Sequence, residues 1–291
     1  MNAAVVTRYG PPEVLEICEV PAPVPRDDEV LVHVHASTVS YGDRIIRKGP
    51  VLVRLLNGLR RPRAAILGAD LAGTVLTVGR NVTRFAPGDQ VFGSRGAKFG
   101  GYAEFACVPE DGFIARKPTN LTLEEAASIF VGGVCALYFL RLARIRPGER
   151  VLVHGASGSL GTYAVQLAKH YGGHVTAVCG SANMNLVRSL GADAVIDYTA
   201  RDFTRDGQTY DVICDVLGKA GFPRSVQVLA PRGRYLLIGF PDGVPAVAAA
   251  LWRGLWLHAR GRAVFMTGAA KPYATIWSSS SRSSRAANCG R

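Results

Sequence analysis

Residues 150–169 read Arg150-Val-Leu-Val-His-Gly155-Ala-Ser-Gly158-Ser-Leu-Gly161-Thr-Tyr-Ala-Val-Gln-Leu-Ala-Lys169, and this stretch decides the fold of the chain. The apolar run at 151–153 is typical of a strand that is covered on both faces of a parallel sheet. A glycine turn and the start of a helix follow at once. Gly158 lets the backbone approach a pyrophosphate without a Cβ in the way, and Gly161 lets the helix lie close to the strand. The N–H groups and the positive dipole end of the helix favour phosphates, so the stretch predicts a dinucleotide site.

The glycine spacing needs support from its surroundings. It reads Ala156-x-Gly158-x-x-Gly161, with alanine where the commoner fingerprint has its first glycine, and in a chain with 33 glycines such spacings also arise by chance. The alternative is a helix-packing turn that binds no ligand. Further strands at 174–179 and 194–197 favour a cofactor, because strand, turn and helix fall where the mechanism requires them. The residues predicted to surround the phosphates are Gly155, Ala156, Ser157, Gly158, Ser159, Leu160 and Gly161.

The rest of the C-terminal part continues the alternation of strands and helices. Strands are predicted at 150–154, 174–179, 194–197, 211–214 and 233–239, with helical segments between them. Such alternation is typical of right-handed βαβ units. The predicted fold class is therefore α/β, with a doubly wound parallel sheet.

The N-terminal part differs from this pattern, because β-branched residues and turn signals predict strands at 29–36, 70–79 and 100–108, and a turn followed by a strand over 85–92. Helical sequence begins at Thr122, which can cap a helix in a capping box with Glu125. We therefore predict a β-rich domain over 1–121 and a nucleotide-binding domain over 122–270.

Composition limits the partners of this 291-residue chain, whose 48% hydrophobic content suits a globular protein. No apolar signal core opens it and no uninterrupted apolar run reaches membrane-spanning length, so we expect a cytoplasmic protein with no membrane partner. The net charge of +12 alone would suit nucleic acid binding. The densest basic segment, 44–63, has no interleaved aromatic residues, so we interpret it as a solvated loop and expect no nucleic acid partner.

Several further motifs occur in order along the chain: Gly10-Pro-Pro-Glu-Val-Leu15, Leu67-Gly-Ala-Asp-Leu-Ala-Gly-Thr-Val75, Pro87-Gly-Asp-Gln-Val-Phe-Gly93, Gly101-Tyr-Ala-Glu-Phe105 and Leu190-Gly-Ala-Asp-Ala-Val-Ile-Asp-Tyr198. Together with residues 150–169, they resemble the medium-chain dehydrogenase/reductase superfamily, in its zinc-independent quinone oxidoreductase-like branch, from the N-terminus to about Lys271. The resemblance implies a GroES-like catalytic domain followed by a Rossmann domain, with the reaction in the cleft between them.

Zinc-dependent members of this superfamily carry a metal-binding Gly-His-Glu where this chain has Gly68-Ala69-Asp70, and a catalytic cysteine in the segment that here is 37–43. Neither ligand is present, and the four closely spaced cysteines of the structural zinc site are also missing. We therefore expect no metal. Without one, hydride transfer from a nicotinamide favours an activated small-molecule acceptor: a quinone, an enone or a conjugated aldehyde. An enoyl-thioester reductase, which differs only in its acceptor, is the alternative.

The resemblance places the substrate-contacting loop at 39–47. Related quinone reductases often carry asparagine at the position of Ser40 and tyrosine at the position of Ile45, whereas Asp43 is retained. Tyr41 is the available phenol, and Asp43 could orient it or a nearby backbone group. We predict Ser40, Tyr41 and Asp43 as catalytic candidates, with a purely loop-stabilising role as the alternative.

An NAD site places an acidic residue about twenty residues beyond the glycines, to bind the ribose 2′-hydroxyl. Here the second strand is followed by Cys179-Gly-Ser-Ala-Asn-Met184, with no acid until Asp193. Ser181 and Asn183 could hydrogen-bond a 2′-phosphate instead, so NADPH is favoured over NADH, although Ala182 stands where close relatives often have arginine. The remaining predicted coenzyme contacts are Cys135, Cys179, Tyr198, Leu217, Gly218, Gly239 and Phe240.

The C-terminal residues 271–291 form a serine- and arginine-rich stretch without periodicity, typical of disorder. Family members continue for roughly fifty residues instead, and a frame shift would explain the difference. We expect a prematurely ended version of a full reductase, so a catalytically impaired nucleotide-binding or scaffold protein stays open as an alternative function. The resemblance also implies a homodimer through the sheet edge near 263–267.

Overall fold

A computed structural model describes residues 1–239, 248–249, 251–252, 254–255 and 264–267 of the chain. The chain divides between Val131 and Gly132 into two compact units. The predicted boundary at 121/122 falls ten residues earlier, at the point where strands give way to a helix. Phe240 and the predicted disordered tail at 271–291 lie outside the described residues.

The first unit contains a five-stranded antiparallel sheet in the order β6-β3-β4-β5-β7 and a separate antiparallel pair, β1-β2. Alternate residues of the strands, including Val30, Val32, Leu71 and Ile114, meet in one buried apolar cluster. The helices and strands of this unit are β1 (Asn2–Val6), β2 (Leu15–Glu19), β3 (Glu29–Ser37), α1 (Tyr41–Lys48), α2 (Val51–Asn57), β4 (Asp70–Val78), β5 (Gln90–Ser94), β6 (Phe105–Pro109), β7 (Phe113–Arg116) and α3 (Leu123–Ile129).

The strand predicted at 100–108 begins only at Phe105, because the residues before it turn back towards β4. Gly100 has a φ of 103°, and the N–H groups of Gly100 and Tyr102 both donate to the carbonyl of Leu67. Glycine suits this turn, since other residues rarely adopt a positive φ. The turn brings the Tyr102 side chain to the loop that precedes α1.

The helix after Thr122 begins as predicted. The Thr122 hydroxyl accepts the N–H of Glu125, and the Glu125 carboxylate accepts the N–H of Thr122, which completes the capping box. The helical stretch Leu123–Ala143 is, by length and composition, apolar enough to cross a membrane. Ala126 and Ala127 are buried in the first unit, and Phe139 and Leu140 in the second, so we assign this stretch to the protein core.

The second unit is built on a six-stranded parallel sheet in the order β10-β9-β8-β11-β12-β13. β8 lies inside the sheet and its residues Val151, Leu152 and Val153 are fully buried, as the continuous apolar run predicts. The predicted α/β class is confirmed. The helices and strands of this unit are α4 (Cys135–Ala143), β8 (Arg150–His154), α5 (Ser159–His170), β9 (His174–Cys179), α6 (Met184–Ser189), β10 (Ala194–Asp197), β11 (Tyr210–Asp215), α7 (Phe222–Ser225), β12 (Leu229–Leu237) and β13 (Val264–Thr267).

Both faces of this sheet are covered. Val151 and Val153 pack with helices α4 and α5 on one face, whereas Leu152 packs with Phe203 and Phe222 on the other. The loops that follow β8, β9, β11 and β12 leave the same edge of the sheet, because these strands are parallel. In doubly wound sheets, ligands bind at this carboxyl edge.

Candidate coenzyme and substrate sites

The turn after β8 brings the helix α5 to the carboxyl edge of the sheet. Gly155 has a φ of 85°, and a Cβ there would lie 2.7 Å from Cγ of Leu217. The N–H groups of Gly155 and Ala156 both donate to the carbonyl of Val178 in the neighbouring strand. The tight turn that the fingerprint normally assigns to its first glycine is therefore made by Gly155, one residue before the alanine that breaks the pattern.

Gly158 and Gly161 have different surroundings. A Cβ at Gly161 would lie 2.1 Å from the carbonyl oxygen of Gly155, so α5 packs against the turn at a distance that excludes any side chain. A Cβ at Gly158 would meet nothing closer than the same oxygen at 3.6 Å, so the space beside it is open. Gly158 is the N-cap of α5 and provides no side-chain cap, and the first N–H groups of a helix have no intrahelical acceptor. An open concavity at a helix N-terminus fits a pyrophosphate.

The loop after β9 forms a second wall beside this turn. Ser181 and Asn183 lie in a single 3-10 turn, and Nδ2 of Asn183 donates to Oγ of Ser157 at 3.4 Å, which ties the two loops together. The Tyr198 ring lies beside Gly180, and the side chain is 63% exposed. Such an exposed ring next to an open backbone offers a surface on which an adenine can stack.

Two residues around this loop point elsewhere. Cys179 is buried in the core beneath the sheet edge, and burial raises the pKa of its thiol. The Asp193 carboxylate is 2.5 Å from Nζ of Lys169 and accepts the N–H of Val175 at 2.7 Å. Since Val175 lies at the start of β9, Asp193 is held at the opposite edge of the sheet from the coenzyme loop.

The loops after β11 and β12 complete the described part of the edge. Gly218 has a φ of 68°, and Leu217, beside Gly155, is 47% exposed. A Cβ at Gly239 would lie 2.2 Å from the carbonyl oxygen of Val216, so these two loops are in direct contact. The predicted coenzyme residues of this unit described so far therefore come from five loops at one edge of the sheet, those that follow β8, β9, β10, β11 and β12. A cavity of about 640 Å³, lined in part by Arg144, Glu149 and Arg234, lies at the other edge of the sheet.

Asp215 supports this edge from below, and the sequence reasoning did not identify it. Its carboxylate is 1% exposed, accepts the N–H groups of Lys219 and Ala220 at 3.2 Å each, and accepts the Tyr235 hydroxyl at 2.7 Å. His154 stands beside it in register, with Nδ1 at 3.3 Å from Oδ1 but without hydrogen-bond geometry. The available sequence signal was a hydrophilic residue at the end of each of two buried strands, His154 in β8 and Asp215 in β11.

Cys135 is the last predicted coenzyme contact. It is the first residue of α4 and is half-buried. It follows directly on a π-helical turn at Phe130–Val134, a feature that often accompanies functional sites. The pair Gly132-Gly133 within that turn was the sequence signal for this irregularity.

In the first unit, Ser40 and Asp43 form a second capping box, at the start of α1. The Ser40 hydroxyl lies 2.6 Å from Oδ2 of Asp43, and the Asp43 carboxylate also accepts the N–H groups of Ser40 at 2.9 Å and Gly68 at 3.1 Å. These contacts agree with the loop-stabilising alternative, because the Asp43 carboxylate binds backbone N–H groups. Tyr41 is 63% exposed, with the Arg44 guanidinium 5.2 Å from its ring centroid.

A cavity of about 360 Å³ opens beside this capping box. Its lining consists of Leu15, Val39, Ser40, Tyr41, Asp43, Arg44, Arg47, Leu67 and Tyr102. All three predicted catalytic residues therefore border one cavity. Tyr102 donates its hydroxyl to the carbonyl of Thr38, and burial, followed by the nearby Asp43, raises its pKa far above the usual range. Tyr102 therefore stays neutral and provides a fixed wall.

Asp70 is a functional candidate that sequence reasoning treated only as a missing zinc ligand. It is 3% exposed, and its Oδ1 is buried without a hydrogen-bond partner among the described residues. Thr38 donates to Oδ2 at 3.3 Å. Burial raises the pKa of Asp70 to about 6, although the Ser94 and Thr38 hydroxyls partly offset the effect. A carboxyl group with such a perturbed pKa is more frequent in functional sites than elsewhere.

These surroundings do not fit a zinc ion. Zinc requires several thiolate, imidazole or carboxylate ligands that converge, and the described residues contain no group of three such side chains. His33 and His35 lie with their rings 4.6 Å apart on β3. The third ligand that such a pair would need is absent from the described part of the chain.

A β-rich unit, followed by a parallel sheet whose carboxyl edge carries an open glycine turn, defines a dehydrogenase/reductase of the two-domain, nicotinamide-dependent class. Comparisons with known sequences agree. Residues 26–119 match the family described as alcohol dehydrogenase GroES-like domain, and residues 159–275 match the family described as zinc-binding dehydrogenase.

Individual relatives identify the branch of this class to which the chain belongs. The chain is 36% identical over 269 residues to a chloroplastic quinone-oxidoreductase homolog from Spinacia oleracea. The matched region covers 88% of this chain and 79% of that protein. It is 32% identical to 2-methylene-furan-3-one reductase from Solanum lycopersicum, over 82% of this chain and 62% of that one. The quinone oxidoreductase structure from Coxiella burnetii superimposes with a TM-score of 0.82 at 27% identity, over 97% of this chain and 86% of that one. The chain belongs to the quinone oxidoreductase-like branch of the medium-chain dehydrogenase/reductase superfamily, and it is an NAD(P)H-dependent oxidoreductase.

Proposed function

We propose that the chain catalyses the NADPH-dependent, metal-independent reduction of a quinone, an enone or another activated carbonyl or alkene. The observation that carries the coenzyme assignment is the uncharged loop after β9, where the Ser157 and Asn183 side chains meet at 3.4 Å beside Ser181. Hydroxyl and amide groups can donate hydrogen bonds to a 2′-phosphate, whereas a carboxylate in this place would repel it. The binding of Asp193 to Lys169 keeps that carboxylate away from the loop.

The coenzyme contacts of this proposal lie in the five loops at this edge of the sheet. The N–H groups of Ser159, Leu160 and Gly161 are assigned to the pyrophosphate, and Tyr198 to the adenine. Cys179, Leu217, Gly218 and Gly239 supply backbone and packing around them. Cys135 and Phe240 are assigned to the nicotinamide side from the resemblance to the family.

The proposed acceptor follows from the chemistry of the first unit. When bound, the nicotinamide supplies a hydride, and the product then needs one proton. Tyr41 is exposed at the cavity and is assigned as the proton source, directly or through water. Ser40 and Asp43 hold the backbone around it through their capping box. Activated acceptors suit this arrangement because they accept hydride without a Lewis acid, and the two relatives described above are named for a quinone and an enone.

A parallel titration tests the coenzyme assignment. The full chain is titrated with NADPH and NADH, with thermal shift and nicotinamide fluorescence as readouts, and we expect tighter binding of NADPH. Equal affinity, or tighter binding of NADH, would overturn it. Steady-state oxidation of NADPH is then measured with a quinone, an enone and an enoyl thioester.

The acceptor panel separates the three candidate activities. Turnover of the quinone or enone supports the proposal, and selective turnover of the thioester identifies an enoyl-thioester reductase instead. A thermal shift with coenzyme but no turnover of any acceptor indicates a nucleotide-binding or scaffold protein. The proposal includes a homodimer along the edge strand β13, for which light scattering of the full chain is the direct measurement.

A further inference from the structure

The short helix α2 exposes an apolar face that none of the described residues of the first unit covers. No residue of Val51–Asn57 is buried. Val51 is 76% exposed, Leu52 45%, Leu55 63% and Leu56 65%. Their i, i+1, i+4, i+5 spacing places all four on one side of a helix. Leu59, just beyond it, is 67% exposed.

This aliphatic face is unusual for a folded protein. Single exposed leucines are common, but contiguous exposed apolar patches usually mark a site of interaction. The helix itself is well fixed to the unit beneath it. Tyr9 donates its hydroxyl to the carbonyl of Gly58 directly after the helix, and the Arg54 guanidinium lies 4.9 Å from the centroid of the Tyr9 ring. The first unit therefore holds the apolar side chains of α2 in a defined position.

The charge around the patch has one sign. No acidic residue occurs from 44 to 69, whereas this segment contains seven basic ones. Arg47 is buried and donates to the carbonyl of Gly10. The other six are exposed and surround the aliphatic face in sequence: Arg44, Lys48, Arg54, Arg60, Arg61 and Arg63.

We infer that α2 and its basic surroundings dock the protein on an anionic lipid surface. A short helix with leucine and valine on one side and arginine around it is the type of element that lies in the headgroup region of a membrane. Each basic side chain near an anionic bilayer adds electrostatic attraction to it. This departs from the sequence-based interpretation of 44–63 as a solvated loop with no membrane partner.

Charge also argues against the other obvious occupant, a second copy of this chain. In a two-fold symmetric dimer the same patch would face itself and bring like charges together. An anionic surface has the opposite sign. Acyl chains, which have no directional groups, also match a face made only of aliphatic side chains.

The cavity with the predicted catalytic residues lies in the same unit and next to this surface, because α1 and α2 are separated only by Gly49 and Pro50. Val39 and Tyr41 at that cavity are exposed. A lipid-dissolved acceptor would then reach the cavity from the bilayer. The docking itself does not depend on the proposed reaction, since it is measured without coenzyme or acceptor.

Vesicle co-sedimentation tests this inference. The full chain is mixed with vesicles of phosphatidylcholine alone or with about one third phosphatidylserine, in the range where anionic lipid gives a surface potential. We expect binding to the anionic vesicles only. Because screening shortens the Debye length from about 10 Å at 0.1 M salt to about 3 Å at 1 M, binding should weaken strongly with salt.

Substitutions identify the surface. The double variant Leu55→Glu, Leu56→Glu should lower the partition coefficient at least about tenfold, and Arg60→Glu, Arg61→Glu should do so for anionic vesicles. Leu186→Glu is the matched control, because Leu186 is 45% exposed in the second unit. The milder pair Leu55→Ser, Leu56→Ser covers the case in which the glutamates prevent folding.

Four results would overturn the inference: no binding to either vesicle, equal binding to both, full binding by the correctly melting α2 variants, or loss of a dimer instead of vesicle binding in these variants. The last result would assign the face to a second copy of the chain. Failure of the proposed reaction would appear separately, as absence of turnover by protein that still binds vesicles.

Discussion

Gly161 packs directly on the carbonyl group of Gly155: a Cβ at residue 161 would stand 2.1 Å from the oxygen, well inside van der Waals contact. Gly158, three residues earlier, has open space at the same position and a φ of −79°, which any residue can adopt. The two glycines of the fingerprint therefore serve different purposes. Gly161 is required by the packing of α5, and Gly158 keeps room for a ligand.

We expect Gly158→Ala and Gly161→Ala to separate folding from coenzyme binding. Gly158→Ala should melt within a few degrees of the wild type and lose coenzyme affinity by about tenfold or more, because its methyl group occupies the space assigned to the pyrophosphate. Gly161→Ala should lose stability by about 1–3 kcal/mol through overpacking. Calorimetry measures the stability of each variant, and coenzyme titration measures its affinity.

Gly148→Ala offers a control for a loss of stability that is unrelated to the coenzyme. Gly148 has a φ of 82° but open space, so its variant should lose stability without any effect on coenzyme affinity. If Gly158→Ala bound NADPH as tightly as the wild type, the cradle would lie elsewhere and the coenzyme assignment would fail.

Asp70 should make the protein less stable as the pH rises. Its folded pKa of about 6 is above the ordinary value of 3.8, so its contribution is complete below the unfolded pKa and is lost as pH rises through the folded one. The shift corresponds to about 3 kcal/mol. Relative to wild type, Asp70→Asn should therefore gain about that amount between pH 4 and pH 7, because the amide never ionises.

Denaturant unfolding at several pH values measures this difference. Asp28→Asn, at an exposed position of the same unit, provides the control and should follow the wild-type curve. Parallel pH profiles for wild type and Asp70→Asn would show that Asp70 is not the group with the raised pKa. Loss of turnover in a more stable Asp70→Asn variant would place the carboxyl among the functional groups of the first unit.

The fold of the second unit was predictable because its signals are local. β8, β9 and β10 have the predicted bounds, since each is a short apolar run that ends at a glycine or a polar residue. The strands β1, β2 and β7 were missed. Neither Asn2–Val6 nor Phe113–Arg116 alternates clearly, and each is a strand through its pairing, β1 with β2 and β7 with β5, rather than through its own pattern.

The sites were predictable to a different extent. The glycine turn and the Ser181–Asn183 loop follow strands in sequence, so their common edge could be predicted. The buried Asp70 could not, because an isolated aspartate has no pattern and its burial depends on residues far along the chain. The sequence signal of the capping box of Ser40 and Asp43 is a serine followed by an acidic residue three positions later. The family resemblance instead predicted both residues as catalytic candidates.

Asn183→Asp should change the coenzyme preference. A carboxylate at this position would face the 2′-phosphate of NADPH and accept a hydrogen bond from the 2′-hydroxyl of NADH. We expect NADPH affinity to fall by about tenfold or more while NADH affinity is unchanged or higher. Asn183→Ala, which removes the bond to Ser157 without adding charge, is the control. An equal change for both coenzymes would contradict the assignment of this loop to the 2′-position.

Tyr235 and Asp215 should separate the stability of the second unit from the position of its coenzyme loop. Tyr235→Phe removes the 2.7 Å hydrogen bond to a fully buried carboxylate and should cost about 1–3 kcal/mol, because Asp215 loses one of its donors. The N–H groups of Lys219 and Ala220 still bind Asp215 in this variant, so coenzyme affinity should stay within about twofold.

Asp215→Ala removes the acceptor itself and should weaken coenzyme binding several-fold as well, since the loop with Leu217 and Gly218 is then unsupported. Urea unfolding and NADPH titration of both variants, with half-buried Tyr171→Phe as control, decide between these outcomes. Equal coenzyme affinity in all three would mean that Asp215 stabilises the sheet without positioning the loop.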